Sequence, residues 1–447
     1  LQEALLGPFP VLPVFIFDDN ILDELEVNDP RVTFIYDRLS YLTQAMEQRS
    51  GDEGTGLGKL YCKKGTPREV WIALLEQFSI GAVYANEDYE PYAIARDSEI
   101  EGLLAQKGVL FHLCKDQVTF ARDEVVKKDR TPYTLFTPYK NAWIKKIAEL
   151  HVKPIQNLLE DPLHEPLPAR LQTGLPARLQ TVLPARLQTG LPARFAEFSF
   201  PFPSLTGIGF KRSSLKVRDY DINNLDNYGK DRNYPALDGT SHLSVHLRFG
   251  TVSIRSIVSR TAHNQSFLNE LIWREFFMQV LWHFPHVEHR SFRKAYDAIP
   301  WRDDEEQFNA WCEGRTGFPM VDAGMKELRA TGFMHNRVRM VVASFLSKHL
   351  LIDWRWGEAY FAEKLLDYEL SSNNGNWQWC AGCGCDAAPY FRIFNPSEQQ
   401  KKFDPDMLYI RKWIKNFRPG YLEPIVDHDF ARKRVLDVFK TALNEAQ

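Results

Sequence analysis

The apolar pattern of this chain changes period part-way along, and that change limits what it can fold into. Up to about residue 130, short apolar runs alternate with helical stretches. Residues 11–17, Val-Leu-Pro-Val-Phe-Ile-Phe, read as a buried strand running into Asp18, Asp19 and Asn20. The pattern predicts helices over 32–49 and 67–78, the second opening on Pro67, a residue suited to a first helical position. Ile80 to Ala85 reads as a second strand and Val109 to Cys114 as a third. Strands alternating with helices predict a parallel α/β sheet. Ligands on such sheets sit beyond the carboxyl ends of the strands. The acidic and aromatic run Asn86 to Tyr92 follows the second strand, either as the lip of a site or as a solvated loop. From residue 205 the period becomes helical. Met334, Val338, Val341, Val342, Phe345 and Leu346 fall on one helix face. The expected organisation is therefore an α/β domain at 1–130, a connection at 131–204 and an all-helical domain at 205–447.

The connection contains a repeat. Leu-Pro-Ala-Arg-Leu-Gln-Thr-Gly begins at Leu167, recurs at Leu175 with Val182 last, recurs at Leu183 and starts again at Leu191. Each copy carries a proline, and an interior proline costs a helix about 3 kcal/mol. A linker of short turns or extended segments over 167–195 is the expectation.

Charge separates the two halves. Residues 1–160 carry 18 Lys/Arg against 25 Asp/Glu, and residues 205–447 carry 33 against 30. A phosphate-binding face is expected on the second half. No apolar run approaches the length of a membrane span. The opening Leu-Gln-Glu-Ala-Leu-Leu has no basic region of the kind that begins a signal peptide. The six cysteines (62, 114, 312, 380, 383, 385) form no disulfide framework for a chain of 447 residues, which predicts a reducing, cytoplasmic setting. Cys380, Cys383 and Cys385 lie close together, but a zinc or iron–sulfur site usually takes four ligands and no fourth lies nearby. Reduced thiols and no metal are the expectation.

Three stretches carry chemistry. In 268–284, Glu270, Trp273, Arg274 and Phe277 share one stripe of an otherwise apolar helix. Buried charges need partners, so the stripe either lines a cavity or braces the bundle through a Glu–Arg pair. Asp238-Gly-Thr-Ser-His-Leu-Ser244 offers hydroxyls and backbone N–H groups before a helical segment, as a phosphate cradle or as a plain helix cap. Residues 367–396 place Asp367 and Glu369 before an Asn-Asn-Gly turn signal, then Trp377 and Trp379, a small-residue run, and an aromatic-Arg-aromatic run. That composition predicts a loop, either closing over a large planar ligand or lying on the surface over buried aromatics.

The last stretch resembles the flavin-binding signature of the photolyase/cryptochrome family. Asn-Asn-Gly-Asn-Trp-Gln-Trp379, followed by Asp386-Ala-Ala-Pro-Tyr-Phe-Arg-Ile-Phe-Asn-Pro396, is close to the class I cyclobutane-dimer photolyases. The similarity extends through Asn269-Glu-Leu-Ile-Trp-Arg-Glu-Phe276, Gly317-Phe-Pro-Met-Val-Asp-Ala-Gly324 and Met334-His-Asn-Arg-Val-Arg-Met340, and covers most of 205–447. It implies a Rossmann-like first domain, here lacking the family's opening strand and its Arg-Asp-Leu-Arg loop, and a helical domain binding FAD. It also implies an antenna pigment, a folate or a deazaflavin, on the first domain. The family's folate-contacting Asn-Glu pair falls on Tyr92 and Ala93, which weighs against folate.

By the same resemblance, Tyr228, Thr240, Ser241, His242, Leu243 and Ser244 match the positions around the flavin phosphates. Phe267, Glu270 and Arg274 border flavin or substrate. Arg339 is expected to pair with Asp367 beside the ring system, next to Tyr368, and Asn373 to face flavin N5. Glu369 stands where class I photolyases commonly have Asp. The family's reaction is light-driven electron transfer from reduced flavin to a cyclobutane pyrimidine dimer in DNA. Such a lesion stacks poorly and flips out of the duplex at lower cost than a normal base. Trp273 and Trp379 match the walls of the dimer pocket, Glu270 and Asn336 its polar contacts. Met340 lines it where 6-4 photolyases carry His. Arg232, Arg392, Lys401 and Lys402 are candidate phosphate contacts or solvated surface charge. Trp377, Trp354 and Trp301 match the tryptophan triad that carries electrons to the flavin, with Trp356 as an extra neighbour. The resemblance thus implies a monomeric DNA-repair enzyme without membrane attachment. The alternative is a cryptochrome, a flavin photoreceptor that signals and repairs nothing; Asp353-Trp-Arg-Trp-Gly357 is similar to plant cryptochromes.

Overall fold

The computed structural model describes residues 1–49, 60–151, 200–223 and 225–446. The repeats at 167–195 lie outside the described residues. What is described falls into two compact units. The first holds 1–117, 200–216 and 251–256, and the second 118–151, 217–223, 225–250 and 257–446.

The first unit is α/β, as the alternation predicts. Its strands are β1 (Val14–Asp18), β2 (Tyr61–Gly65), β3 (Ala82–Asn86) and β4 (Leu110–Cys114). Helices α1 (Pro30–Arg49), α2 (Pro67–Gln77) and α3 (Pro91–Ala105) alternate with them. Each helix opens on proline, whose fixed φ suits the first turn and whose missing N–H costs nothing there. Thr66 caps α2: Glu69 N donates to its hydroxyl at 3.4 Å, and the hydroxyl donates to the Glu69 carboxylate at 2.8 Å.

The strands pair in parallel, but as two ladders rather than one sheet. Val14 lies opposite Tyr61 in one, and Ala82 opposite Leu110 in the other. Each ladder joins the strands on either side of one helix, as a crossover unit requires. The sequence pattern does not reveal β2, because Lys63 and Lys64 break its apolar signal. Phe17, Val32, Leu39 and Cys62 close on Ile208 and Phe210 under the first ladder. Val83, Ile100, Leu104 and Val109 form a separate cluster under the second, with Trp71, Leu75 and Phe111 packed against it.

The run Asn86 to Tyr92 is a solvated loop only in part: Asn86 ends β3, and the Asn86 and Tyr92 side chains are exposed. Tyr89 is buried, and Tyr92 belongs to α3. The Tyr92 hydroxyl donates to the Asp18 carboxylate and accepts from the Asn20 amide at 3.2 Å. Burial, with help from the Asp18 charge, pushes this phenol up to about 12.

The second unit is helical. Its principal elements are α4 (Phe136–His151), α5 (Ser244–Arg248), α6 (Gln265–His283), α7 (Glu305–Glu313), α8 (Pro319–Thr331), α9 (Asn336–Ser344), α10 (Trp354–Lys364), α11 (Leu370–Ala381) and α12 (His428–Glu445). The stretch read as connecting chain thus contains a helix, α4. The predicted face of α9 is buried throughout, from Met334 to Leu346. Past Ser344 the helix widens into a π-helical segment, Phe345–Leu350.

Glu275 fastens α4 and the chain before it to α6. Its buried carboxylate accepts from Thr119 N at 2.7 Å, Phe120 N at 3.3 Å, the Tyr139 hydroxyl at 3.0 Å and Trp143 Nε1 at 2.7 Å. Burial pushes the carboxyl up to about 7, against the pull of these four donors. No described helix is long and apolar enough to cross a membrane.

Candidate functional site

A cavity of about 560 Å³ opens in the helical unit. It lies within the roughly 300–1,000 Å³ usual for small-molecule and cofactor sites. Its walls come from α6, α9, α11, the loop before α5 and the segment after α10.

The stretch predicted as a loop forms one wall as a helix. Within α11 and its cap, Glu369, Ser372, Asn373, Asn376, Trp377 and Cys380 line the cavity. Their spacing is i, i+3, i+4, i+7, i+8, i+11, a single helical stripe. Residues that usually signal a turn are accommodated here because the opposite face consumes their polar groups. Asn374 Nδ2 donates to Val287 O at 2.9 Å, and Gln378 Nε2 donates to Val287 O at 3.0 Å and to Asn374 Oδ1 at 2.9 Å. Phe292 N donates back to Gln378 Oε1 at 2.8 Å. Gly375 is required by space, since a Cβ there would overlap the Phe277 ring of α6. The helix ends at Gly382, whose φ of 90° is left-handed.

On α6, the predicted stripe of Glu270, Trp273, Arg274 and Phe277 lines the same cavity, and so does Phe267. The alternative, a brace between Glu270 and Arg274, is not what forms; each side chain has another partner. Arg232 bonds Glu270, and Arg274 reaches Glu369 at 3.1 Å. Arg232 also lies over the Tyr228 ring, 5.3 Å from its centre, and Tyr228 meets Phe267 edge-on at 5.0 Å. Burial pushes the Tyr228 phenol up to about 12.

The loop at 238–244 is not a helix cap. The cap position of α5 is Leu243, which makes no side-chain cap bond. Thr240, Ser241, His242, Leu243 and Ser244 all border the cavity. His242 takes a left-handed φ of 52°, and its ring bonds Asp238 at 2.7 Å. Across the cavity, Arg339 grips Asp367 through one guanidinium nitrogen at 2.9 and 3.2 Å and holds Met334 O at 2.7 Å. Asn373 donates to Glu358 O at 3.0 Å, committing one amide hydrogen and leaving the other and the carbonyl oxygen. Burial pushes the Glu358 carboxyl up to about 7.

Every residue expected at the flavin is therefore on one cavity: Tyr228, Thr240, Ser241, His242, Leu243, Ser244, Phe267, Arg274, Arg339, Asp367, Tyr368, Glu369 and Asn373. So are Arg232, Glu270, Trp273, Asn336, Met340 and Trp379 from the expected substrate set. Arg392 is not in the lining; it is exposed, with its guanidinium 5.6 Å from the Phe394 ring centre. Lys401 and Lys402 are also exposed, and Lys401 pairs with Glu398 at 2.8 Å.

Of the three expected triad tryptophans, Trp377 lines the cavity and the other two do not. Trp354 is fully buried and Trp301 partly exposed beside Phe439. Trp377 touches Phe361 at 5.1 Å and Trp311 at 6.1 Å between ring centres. Cys380, Cys383 and Cys385 are buried, and burial pushes each thiol up to about 12. Among the described residues, no group of three or more His, Cys, Asp or Glu could hold a metal ion.

Arg337 is a lining residue that the sequence reading passed over. Its guanidinium donates to Asn233 at 2.6 Å and lies 4.2 Å from the Phe403 ring centre. It sits one residue after Asn336 and three before Met340, on the cavity side of α9, so helical spacing from those two would have found it.

The donor set fits a flavin dinucleotide. The cavity lining supplies the hydroxyls of Thr240, Ser241 and Ser244, the Arg339–Asp367 pair, the Asn373 amide and several aromatic rings. Trp377 Nε1 is a buried donor with no hydrogen-bond partner among the described residues.

Known proteins match the chain along its length. Residues 267–419 match the family model described as FAD binding domain of DNA photolyase, and residues 1–162 the one described as DNA photolyase. The deoxyribodipyrimidine photo-lyase of Alkalihalophilus pseudofirmus is 35% identical over 434 residues, covering 90% of this chain and 87% of that protein. A bacterial class III photolyase from Agrobacterium tumefaciens aligns with a TM-score of 0.74 at 28% identity, over 99% of this chain and 94% of its own. An archaeal photolyase from Sulfolobus tokodaii, solved with two FAD molecules, aligns with a TM-score of 0.73 at 29% identity, over 97% and 94%. With the two domain matches in order and a relative above 30% identity over most of its length, this chain belongs to the DNA photolyase family.

Proposed function

We propose that this protein is a light-driven photolyase that splits cyclobutane pyrimidine dimers in DNA. The observation that carries the reading is that the flavin-type residues and the dimer-type residues share one cavity. The loop from Thr240 to Ser244 would hold the dinucleotide phosphates, and the Arg339–Asp367 pair and Asn373 the ring system. Reduced FAD, when bound, supplies the light-driven electron that opens the cyclobutane ring. The protein's part is to hold a flipped dimer beside it. Trp273, Trp379 and Met340 offer apolar walls, which also keep water from the exchange. Glu270 and Asn336 offer polar contacts for base edges. The Arg232 partner holds the Glu270 side chain in a fixed place. Trp377, buried on the cavity wall, would pass electrons inward.

The second FAD of the Sulfolobus tokodaii photolyase supports a second, light-harvesting chromophore in the first unit. Its chemistry is less suited to folate, because Tyr92 is tied to Asp18 and Asn20 and Ala93 is buried. The six free cysteines support a reducing, cytoplasmic setting. The working unit in this reading is a monomer on damaged DNA.

The test is blue-light repair of a cyclobutane-dimer oligonucleotide by the purified, reduced protein, with a dark control. Loss of the dimer in the light alone is the expected result. Intact dimer despite bound and fully reducible flavin would place the chain among signalling photoreceptors instead.

A further inference from the structure

Trp273 is held by a residue that comes from a different part of the chain and lies outside the cavity lining. The Phe136 ring stacks on its indole with centres 3.6 Å apart and planes 6° from parallel. Aromatic pairs left to themselves prefer offset or edge-on arrangements to near-complete overlap, so other contacts must impose this one. They are present. Phe136 N donates to Asp386 Oδ2 at 3.0 Å, and Cys385 Sγ donates to Thr134 O at 3.1 Å. Asp386 itself takes a left-handed φ of 51°, a conformation that L residues other than Gly, Asn and Asp rarely adopt. The next two turns of α4 are fixed through Tyr139 and Trp143 on Glu275, two residues along α6 from Trp273.

We propose that Phe136 is a positioning residue for Trp273, which sets the angle at which that indole meets a stacked base. The stack covers one indole face, so Trp273 can meet a ligand only with the other face or its edge. It also removes the ring's freedom to swing about its side-chain torsions. A base stacking on an indole already held in place loses no affinity to ordering it. This inference rests on the reading of Trp273 as a wall of the dimer pocket.

The experiment compares Phe136→Leu, Phe136→Tyr and Trp273→Ala in the full chain. Three quantities are read: KM and kcat for light-driven repair of a dimer oligonucleotide, bound flavin by absorbance, and the rate of flavin photoreduction without DNA. Phe136→Leu should raise KM by up to about tenfold, the cost of ordering one freed side chain on binding. Flavin content, photoreduction and kcat should stay within about twofold of the parent protein. Phe136→Tyr, which keeps the flat ring, should restore KM. An unchanged KM in Phe136→Leu alongside a raised KM in Trp273→Ala overturns the positioning role. So does a loss of flavin in step with KM, which marks a merely structural residue. An unchanged KM in Trp273→Ala overturns instead the assignment of that wall to the dimer.

Discussion

His335 shows what one buried side chain costs and returns. It caps α9, its Nδ1 accepting from Arg337 N at 3.1 Å, and only 3% of it is exposed. Burial first, and then the charges of Arg337, Arg339 and Arg232, lower its pKa from 6.5 to about 4. An unfolded chain therefore takes up a proton near pH 6.5 that the native state refuses until about pH 4. The stability linked to this site is complete above about pH 6.5 and lost as pH falls toward 4, by up to about 3 kcal/mol. His335→Asn keeps a favoured cap acceptor and removes the titration. Urea midpoints measured from pH 7 to pH 4 should fall less steeply in the variant than in the parent; parallel curves would show that His335 does not titrate differently on folding. The neighbouring Arg339–Asp367 pair was legible only through the resemblance. The two residues stand 28 positions apart, and nothing in either local pattern ties them together.

At the scale of elements, α11 is the instructive case. Asn-Asn-Gly is a strong turn signal in isolation, and that signal hid a helical stripe running from Glu369 to Cys380. The turn reading fails because the amides of Asn374 and Gln378 find partners across the bundle, and because Gly375 answers a packing demand and supplies no bend. Gly375→Ala tests this directly. A methyl group pressed into Phe277 should cost about 1–3 kcal/mol through the shift it forces between α6 and α11. Thermal unfolding reads that loss; an unchanged or higher Tm would mean that the two helices have room to spare. Strand β2 was missed for the opposite reason. Its lysines mask the strand signal, and only its parallel register with β1 reveals it. The helical face of α9 needed no such help, since its apolar spacing is regular and its burial complete.

For the molecule as a whole, the two-domain plan follows from the change of period, whereas the interleaving of the units does not. Residues 118–151 join the helical unit although chain on both sides of them contributes to the first. No local pattern encodes that exchange, because it depends on contacts made more than a hundred residues away. Charge is read more easily. The second half carries the basic excess, and Arg392 is exposed there. If Arg392 meets a phosphate, Arg392→Ala should weaken binding of dimer DNA at every sequence. It should also flatten the slope of log affinity against log salt by about 1. An unaltered slope would make Arg392 solvated surface charge.

The Glu275 network sets a timetable for biosynthesis. Its first donor, Thr119, precedes it by 156 residues. At a translation rate of about 5–20 residues per second, roughly 8–30 s pass between the two leaving the ribosome. For most of that interval Tyr139 and Trp143 have been made and the carboxylate they bond to has not. The nascent chain thus carries two large aromatic side chains without their native surface while the first unit's strands are already complete. Such exposure is what draws chaperones and invites aggregation. A ribosome stalled before Glu275 should hold residues 118–151 open to protease, and one stalled well beyond α6 should hold them closed.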